Sequence, residues 1–246
     1  MTSDNEQMAF NFDSGALPEW ARQIAVFDTE TTGLNLKSSR IVTACVAVLD
    51  QDGNLLAPAQ EWLADPGIEI PEAAANVHGV TTEFARANGS DAKQVVAEII
   101  DALREIQNRG IPIVAYNAPY DFTILHWEAV RHGLEPLIPA LVLDPLVIDK
   151  FVDKYRKGPR KLEVTAQFYG VDLGNAHNAT ADAVASGRVM QAIAAKHADK
   201  LGTSLIALQG NQARWADEAA VSFAKWKRDN GSPDFREELG WPVRQG

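Results

Sequence analysis

The sequence has a single cysteine in 246 residues. Cys45 lies inside the apolar run Ile41 to Leu49, so no disulfide framework and no cysteine-built zinc site can form, and the lone thiol suits a reducing compartment. That run is the longest clean apolar stretch and is far too short to span a bilayer. The opening residues, Met1 to Glu6, carry acids where a secretory signal would carry lysine or arginine. The expectation is a cytoplasmic protein with no membrane partner. Basic residues are also scarce: 23 Lys and Arg stand against 33 Asp and Glu, a formal net charge of −10. This excludes a protein that coats duplexes through many phosphate contacts, although a local basic surface would still serve a nucleic-acid enzyme. There is no internal repeat and no low-complexity tract.

What is present reads as a folded chain, 46% apolar, with three parts expected: a flexible leader over 1–20, a main domain over 21–202 and a C-terminal extension over 203–246. Arg22 to Asp28, Ile41 to Asp50 and Leu55 to Leu63 have strand patterns, the last two joined by the turn signal Asp52-Gly53-Asn54, and together predict an antiparallel meander. Short helical pieces occupy Pro71 to Arg86. Asp91 to Arg109 predicts a helix with Val95, Val96, Ile99, Ile100, Leu103 and Ile106 on one stripe. A buried-type strand at Pro112 to Tyr116, a helix over Pro119 to His132 and a short strand from Leu141 ending at Asp144 follow. Helices over Leu162 to Tyr169 and Asn178 to about Lys200 close the domain. Strands first, then strands alternating with helices, predict a three-layer α/β fold with a mixed sheet of about five strands flanked by helices. The extension, helical from Leu205 to Arg228 and carrying Trp215, Trp226 and Trp241, is expected to pack on the domain.

Three short segments carry chemistry. In Phe27-Asp28-Thr29-Glu30-Thr31-Thr32-Gly33, residues two apart share a strand face, so Asp28 and Glu30 point the same way. Paired carboxylates repel and draw in a proton or a cation, and oxygen-only ligands suit Mg²⁺ or Mn²⁺. Thr31, Thr32 and Gly33 then offer hydroxyls and a flexible backbone beside the metals. In Ala115-Tyr116-Asn117-Ala118-Pro119-Tyr120-Asp121, a strand gives way to a helix, and Asp121 falls in the first turn, where the helix dipole favours an anion. In His177-Asn178-Ala179-Thr180-Ala181-Asp182, a continuous helix would separate His177 and Asp182 by about 140°. A helix starting just after His177 lets both face one site, with the histidine as a general base for water.

With all three segments in hand, in order and in spacing, the chain resembles the DEDDh exonucleases of the DnaQ-like family, over roughly residues 22 to 200. It is similar to the proofreading (epsilon) subunits of bacterial DNA polymerase III. The matching motifs are Phe-Asp-Thr-Glu-Thr-Thr-Gly, Asn-Ala-x-x-Asp and His-x-Ala-x-x-Asp. Val77-His78-Gly79-Val80, Leu162 and Phe168-Tyr169-Gly170-Val171 are weaker family-like features. The resemblance implies an RNase H-like fold and 3′→5′ hydrolysis of nucleic-acid ends with two Mg²⁺ or Mn²⁺ ions. It implies Asp28, Glu30, Asp121 and Asp182 as metal ligands and His177 as the base. It also implies a terminal-nucleotide pocket made by Thr31, Thr32, Gly33, Leu34, His78, Asn117 and Phe122, with Leu34 as a wedge between bases. Tyr116 departs from the histidine many relatives carry before Asn-Ala.

The densest basic run, Lys154, Arg156, Lys157, Arg160 and Lys161, is a candidate phosphate-tracking loop, with Arg160 and Lys161 as substrate contacts. Gln7 to Phe12 resembles the peptides that bacterial replication proteins dock into a sliding clamp. The expected partners are single-stranded or frayed DNA 3′ ends, a sliding clamp and a replicative polymerase. The alternatives are an RNA 3′→5′ exonuclease, of the oligoribonuclease or tRNA-trimming type, and a polymerase-associated binding subunit. The first motif differs from the Asp-Leu-Glu-Met-Thr-Gly of oligoribonucleases, which favours DNA.

Overall fold

The computed structural model describes residues 17–173 and 179–244. The described chain opens with a short helix, α1 (Glu19–Arg22), and Leu17 and Trp20 are already buried. The leader expected over 1–20 therefore gives way to packed chain by Leu17, because two large apolar side chains there have a core to enter. Gln7 to Phe12 lies outside the described residues.

Next come β1 (Ile24–Thr31), β2 (Ile41–Leu49) and β3 (Gln60–Asp65), paired antiparallel in sequence order. The turn between β2 and β3 is closed by Asp50, whose Oδ1 accepts from the amides of Asp52 (2.9 Å) and Asn54 (2.8 Å), and Gly53 takes a positive φ of 75°. β3 starts later than the sequence suggests, because Leu55 forms only an isolated bridge to Leu49. Two short helices follow, α2 (Glu72–His78) and α3 (Thr82–Asn88), the second capped by Thr81, whose side chain accepts from the Phe84 amide. The two-residue strand β4 (Ser90–Asp91) pairs parallel to β3 and leads into α4 (Ala92–Asn108). Asp91 caps α4, and the predicted apolar stripe is buried along its length.

β5 (Ile113–Val114) runs parallel to β1, with Ala25 opposite Ile113 and Val26 opposite Val114. It feeds α5 (Pro119–Arg131), and β6 (Val142–Leu143) pairs parallel to β5. The full sheet order is β4-β3-β2-β1-β5-β6. This is the mixed sheet expected, with β4 as one strand more. Asp144 then caps α6 (Pro145–Val152), a helix the sequence reading did not separate from the preceding strand. α7 (Leu162–Tyr169) ends on Gly170 in the left-handed conformation. α8 (Ala179–Lys196) breaks at His197 before α9 (Ala198–Leu201), so the single helix expected to Lys200 is two. The extension is α10 (Leu205–Asp229) and a tail to Arg244.

The sheet divides two cores. Ile24 and Val26 of β1 join Leu49, Val114, Leu143, Val189, Met190 and Ile193 on the α8 face. Ala25 and Phe27 join Ile113, Phe122, Val96, Ile99 and Leu103 on the α4 and α5 face. α8 lies close against β1 and β2 at Gly187, where an added Cβ would stand 2.5 Å from Val26 Cγ1 and 2.6 Å from Leu49 Cδ1. We expect Gly187→Val to cost about 1–3 kcal/mol through overpacking. A thermal melt should read this as a Tm lower by about 2–12 °C; a Tm equal to wild type would mean that α8 is not held this close.

Candidate active site

The pleat of β1 decides where the acids go. Asp28 and Glu30 continue the face of Ile24 and Val26, towards α8, whereas Thr29 continues the face of Phe27, towards α5. A register irregularity between Glu30 and Thr31 ends the regular pairing just past the acids. Asp182 projects from the first turn of α8, and Asp121 from the first turn of α5. The α5 start follows the end of β5, and Asp28 feels the charges of Glu30, Asp121 and Asp182, so four carboxylates from three segments gather at one edge of the sheet.

Thr29, the residue between the two strand acids, ties this arrangement together. Its amide and its hydroxyl both donate to Asp121 Oδ1, at 3.0 and 2.8 Å. Sequence reasoning passed over Thr29; the signal was its place between two acids, on the opposite strand face. The electrostatics follow from burial and crowding. Burial first, then the charges of Asp121, Glu30 and Asp182, push the Asp28 carboxyl well above the usual carboxylate range. Asp121 is pushed up to about 7, mainly by burial, against the hydrogen bonds from Thr29. Among the described residues no three His, Cys, Asp or Glu groups already close round a common point. The acids crowd, and like charges so placed repel one another. A divalent cation would relieve that repulsion, and an all-oxygen donor set suits Mg²⁺ or Mn²⁺. The residues present fit such an ion. His177 lies outside the described residues.

The first turn of α8 is fixed by Thr180, whose hydroxyl donates to Glu61 of β3. Cys45, beside it on β2, is buried, and burial pushes its thiol up to about 11, which makes it inert as a nucleophile.

The segment after β1 is held firmly, contrary to the flexible backbone expected. Thr31 and Thr32 are buried and their hydroxyls are engaged. The hydroxyls of Thr31 and Tyr120 meet, and both reach the Gly33 carbonyl, at 2.8 and 2.9 Å. Thr32 Oγ1 accepts from the Arg40 amide at 3.0 Å. These hydroxyls hold the loop. Burial pushes the Tyr120 phenol up to about 12, so it stays protonated. Leu34, by contrast, is 85% exposed at the tip. Asn35 caps the turn behind it through Lys37 and Ser38, and Arg131 of α5 donates to the Lys37 carbonyl at 2.8 Å. His78 is partly buried, with Nδ1 accepting from the Val80 amide at 3.2 Å, and burial lowers its pKa towards the neutral ring.

On the α5 side, Asn117 is exposed and has a φ of 65°, which asparagine tolerates better than most residues. Phe122 does not line an open pocket: it is 2% exposed and packs on Phe27, with ring centroids 5.4 Å apart. Tyr116, in place of the family's histidine, donates to the Arg160 carbonyl and contacts Thr165 Oγ1, each at 2.8 Å.

The basic run is only partly available. The buried carboxylate of Asp149 binds the guanidinium groups of Arg156 and Arg160 and accepts from Tyr169 at 3.0 Å. Arg160 also donates to the carbonyls of Asp149 and Asp153. Its guanidinium is thus engaged inside the protein. α6 carries the chain about 12 Å away from the Asp144 end. Its last carbonyl, Val152, accepts from Lys200 Nζ at 3.0 Å, and Arg156 stacks on Phe168 at 4.2 Å. Lys154 and Lys157 follow at that far end, and Lys161, exposed at the start of α7, is the basic residue returned towards Tyr116.

The profile of the exonuclease family RNase_T matches residues 25–190. The chain belongs to this exonuclease family. This exonuclease is 28% identical over 185 residues to the PolC-type DNA polymerase III of Pediococcus pentosaceus, covering 75% of the chain and 12% of that protein. It is 30% identical over 167 residues to the PolC-type DNA polymerase III of Streptococcus suis, covering 67% of the chain and 11% of that protein. The chain thus spans about 12% of the length of such a curated relative. Among solved structures, the exonuclease resembles Escherichia coli exonuclease I bound to a dA16 oligonucleotide, with a TM-score of 0.63 at 18% identity, over 78% of this chain and 43% of that one. It resembles exonuclease I of Methylocaldum szegediense with a TM-score of 0.61 at 16% identity, over 81% and 45%. The mixed sheet flanked by helices is the RNase H-like fold those structures share. No helix among the described residues is long and apolar enough to cross a membrane.

The raised carboxylates set a pH dependence. A folded pKa above the unfolded one favours the fold at low pH, and that contribution is lost as pH rises through the folded value. In EDTA, the Tm should therefore fall between about pH 4 and the value near 7 shown by Asp121. Asp121→Asn keeps an acceptor for Thr29 and should flatten that fall, with a Tm above wild type at pH 7.5. Parallel pH profiles for the two proteins would refute the carboxylate crowding.

Proposed function

We propose that this exonuclease removes nucleoside 5′-monophosphates from the 3′ ends of DNA, in a proofreading or repair role, and that single-stranded or frayed ends are its substrates. The observation that carries this reading is the gathering of Asp28, Glu30, Asp121 and Asp182 at one sheet edge, with Asp28 and Asp121 carrying raised carboxyls. Acids so placed would hold divalent cations. Two bound Mg²⁺ or Mn²⁺ ions would supply an activated water and neutralise the charge on the leaving 3′ oxygen. The residue roles divide accordingly. Asp28, Glu30 and Asp182 would hold one ion, and Asp28 with Asp121 the other. Thr29 keeps the Asp121 carboxylate pointed at the site. His177 would take the proton from the attacking water. Leu34, displayed on a braced loop, would separate the last bases, while Asn117 and the loop backbone receive the terminal nucleotide and Lys161 meets phosphate. Solved relatives bound to dT13 and dA16 support a single-stranded DNA substrate. The PolC-type relatives support a link to replication, and Gln7 to Phe12 would then serve as a clamp-docking peptide.

The test is degradation of 5′-labelled single-stranded DNA, duplex DNA, mismatched primer and RNA, each with Mg²⁺ and Mn²⁺. A ladder shortening from the 3′ end, abolished by EDTA, is expected. Asp182→Asn should lower kcat at least ~100-fold, from the loss of several kcal/mol of charge stabilisation, while keeping the wild-type melting profile. Full activity in that variant would sink the site assignment, and faster loss of RNA would move the substrate to RNA.

A further inference from the structure

The C-terminal extension reaches the active site through one buried acid that the exonuclease motifs do not include. We propose that Asp144 is a positioning residue for the site, braced by Trp241 and Gln212, so that the extension is a working part of the nuclease. This rests on the exonuclease reading above.

Asp144 stands at the end of β6 and is fully buried. Its Oδ1 accepts from the amides of Asn117 (3.0 Å), Leu146 (3.0 Å) and Val147 (3.4 Å). Its Oδ2 accepts from the Ala118 amide (3.0 Å) and from Trp241 Nε1 (3.3 Å). Capping α6 requires only the bonds to Leu146 and Val147. The bonds to Asn117 and Ala118 are additional, and they reach across to the second catalytic segment. From the other side, Gln212 of α10 accepts from the Asp144 amide at 2.7 Å and donates to the Val142 carbonyl at 3.1 Å. Gln212 is itself completely buried, so the helix is fixed to the strand that carries Asp144.

The additional bonds act on a backbone that needs holding. Asn117 has a φ of 65°, and Pro119 opens α5 two residues later. The direction of α5, and with it the place of Asp121 in its first turn, therefore depends on the Asn117–Ala118 peptide. Thr29 holds Asp121 from the strand, and Asp144 holds the entry of its helix. Five N–H groups converge on Asp144, so asparagine cannot replace it: one of its two positions would turn an NH₂ towards donors. Trp241 lies against the core on the α5 face, and the Arg244 amide donates to Thr123 of α5 at 2.9 Å. The tail thus touches both the acid and the helix it places.

The experiment compares wild type, Trp241→Phe, Asp144→Asn and the double variant, using the full chain. Three readouts are taken: Tm, kcat and KM on a single-stranded oligonucleotide with Mn²⁺, and amide hydrogen exchange of the 113–123 segment without metal. Trp241→Phe keeps a ring in place and removes one donor. It should leave Tm near wild type, lower kcat about threefold, the scale of one hydrogen bond, and speed exchange at Asn117 and Ala118. Asp144→Asn should lower kcat about 100-fold, the scale of a small displacement of a catalytic group. The double variant should be no slower than Asp144→Asn, because the donor has already lost its partner. Independent, multiplying effects would overturn the link. If Asp144→Asn does not fold, Trp241→Phe decides alone: wild-type kcat with wild-type exchange removes the proposal. Faster exchange in a chain whose wild type cuts nothing would instead leave the brace standing and remove the nuclease reading.

Discussion

Along β1 the side chains of Ile24, Val26, Asp28 and Glu30 leave one face of the sheet, and those of Ala25, Phe27 and Thr29 leave the other. That alternation joins the apolar cores to the acids. The same register that buries Ile24 and Val26 under α8 aims Asp28 and Glu30 at Asp182. The same register that buries Phe27 under α5 gives Asp121 its two bonds from Thr29. A slip of one residue would reverse both faces at once. The hydrophobic register of the strand therefore protects the site, since no shifted pairing could preserve one without the other.

Buried acids elsewhere in the molecule show what is different here. Glu128 accepts from the Ile41 amide and pairs with Arg131. Asp149 has two arginines and a tyrosine. Asp144 has five N–H donors. In each case the charge is met where it is buried, as the high cost of an unmet charge requires. Asp28 and Asp121 differ in cause: neighbouring acids add to burial in raising their carboxyls, whereas at Asp144 burial raises the carboxyl against its own donors. Buried acids crowded against one another in this way mark a candidate ligand site.

The larger elements were legible because their signals are local and periodic. The stripe of α4, the meander of β1 to β3 and the stop of α7 at Gly170 each rest on spacing or turn chemistry alone. The four clustered acids were legible because their types and intervals repeat a family pattern. Other features depend on distant chain, and their own residues say little of it. Thr29 looks like a spacer until Asp121 is folded against it. Phe122 resembles a pocket residue until Phe27 covers it. Arg160 looks like a free cation until Asp149 is buried beside it. α6 did carry a local signal, Asp144-Pro145, a cap followed by proline at the first helical position.

The close seat of α8 on β1 at Gly187 also orders events in time. The strand acids Asp28 and Glu30 leave the ribosome early, whereas Asp182 comes with the last long helix of the matched domain. Chains fold from the N-terminus as they are made, so a partial product carries the strand acids without Asp182 on an uncovered strand. Only when α8 closes over Val26 and Leu49 does the strand acquire its partner acid, and the glycine makes that closure flush. Assembly of the acidic cluster is thus coupled to completion of the fold.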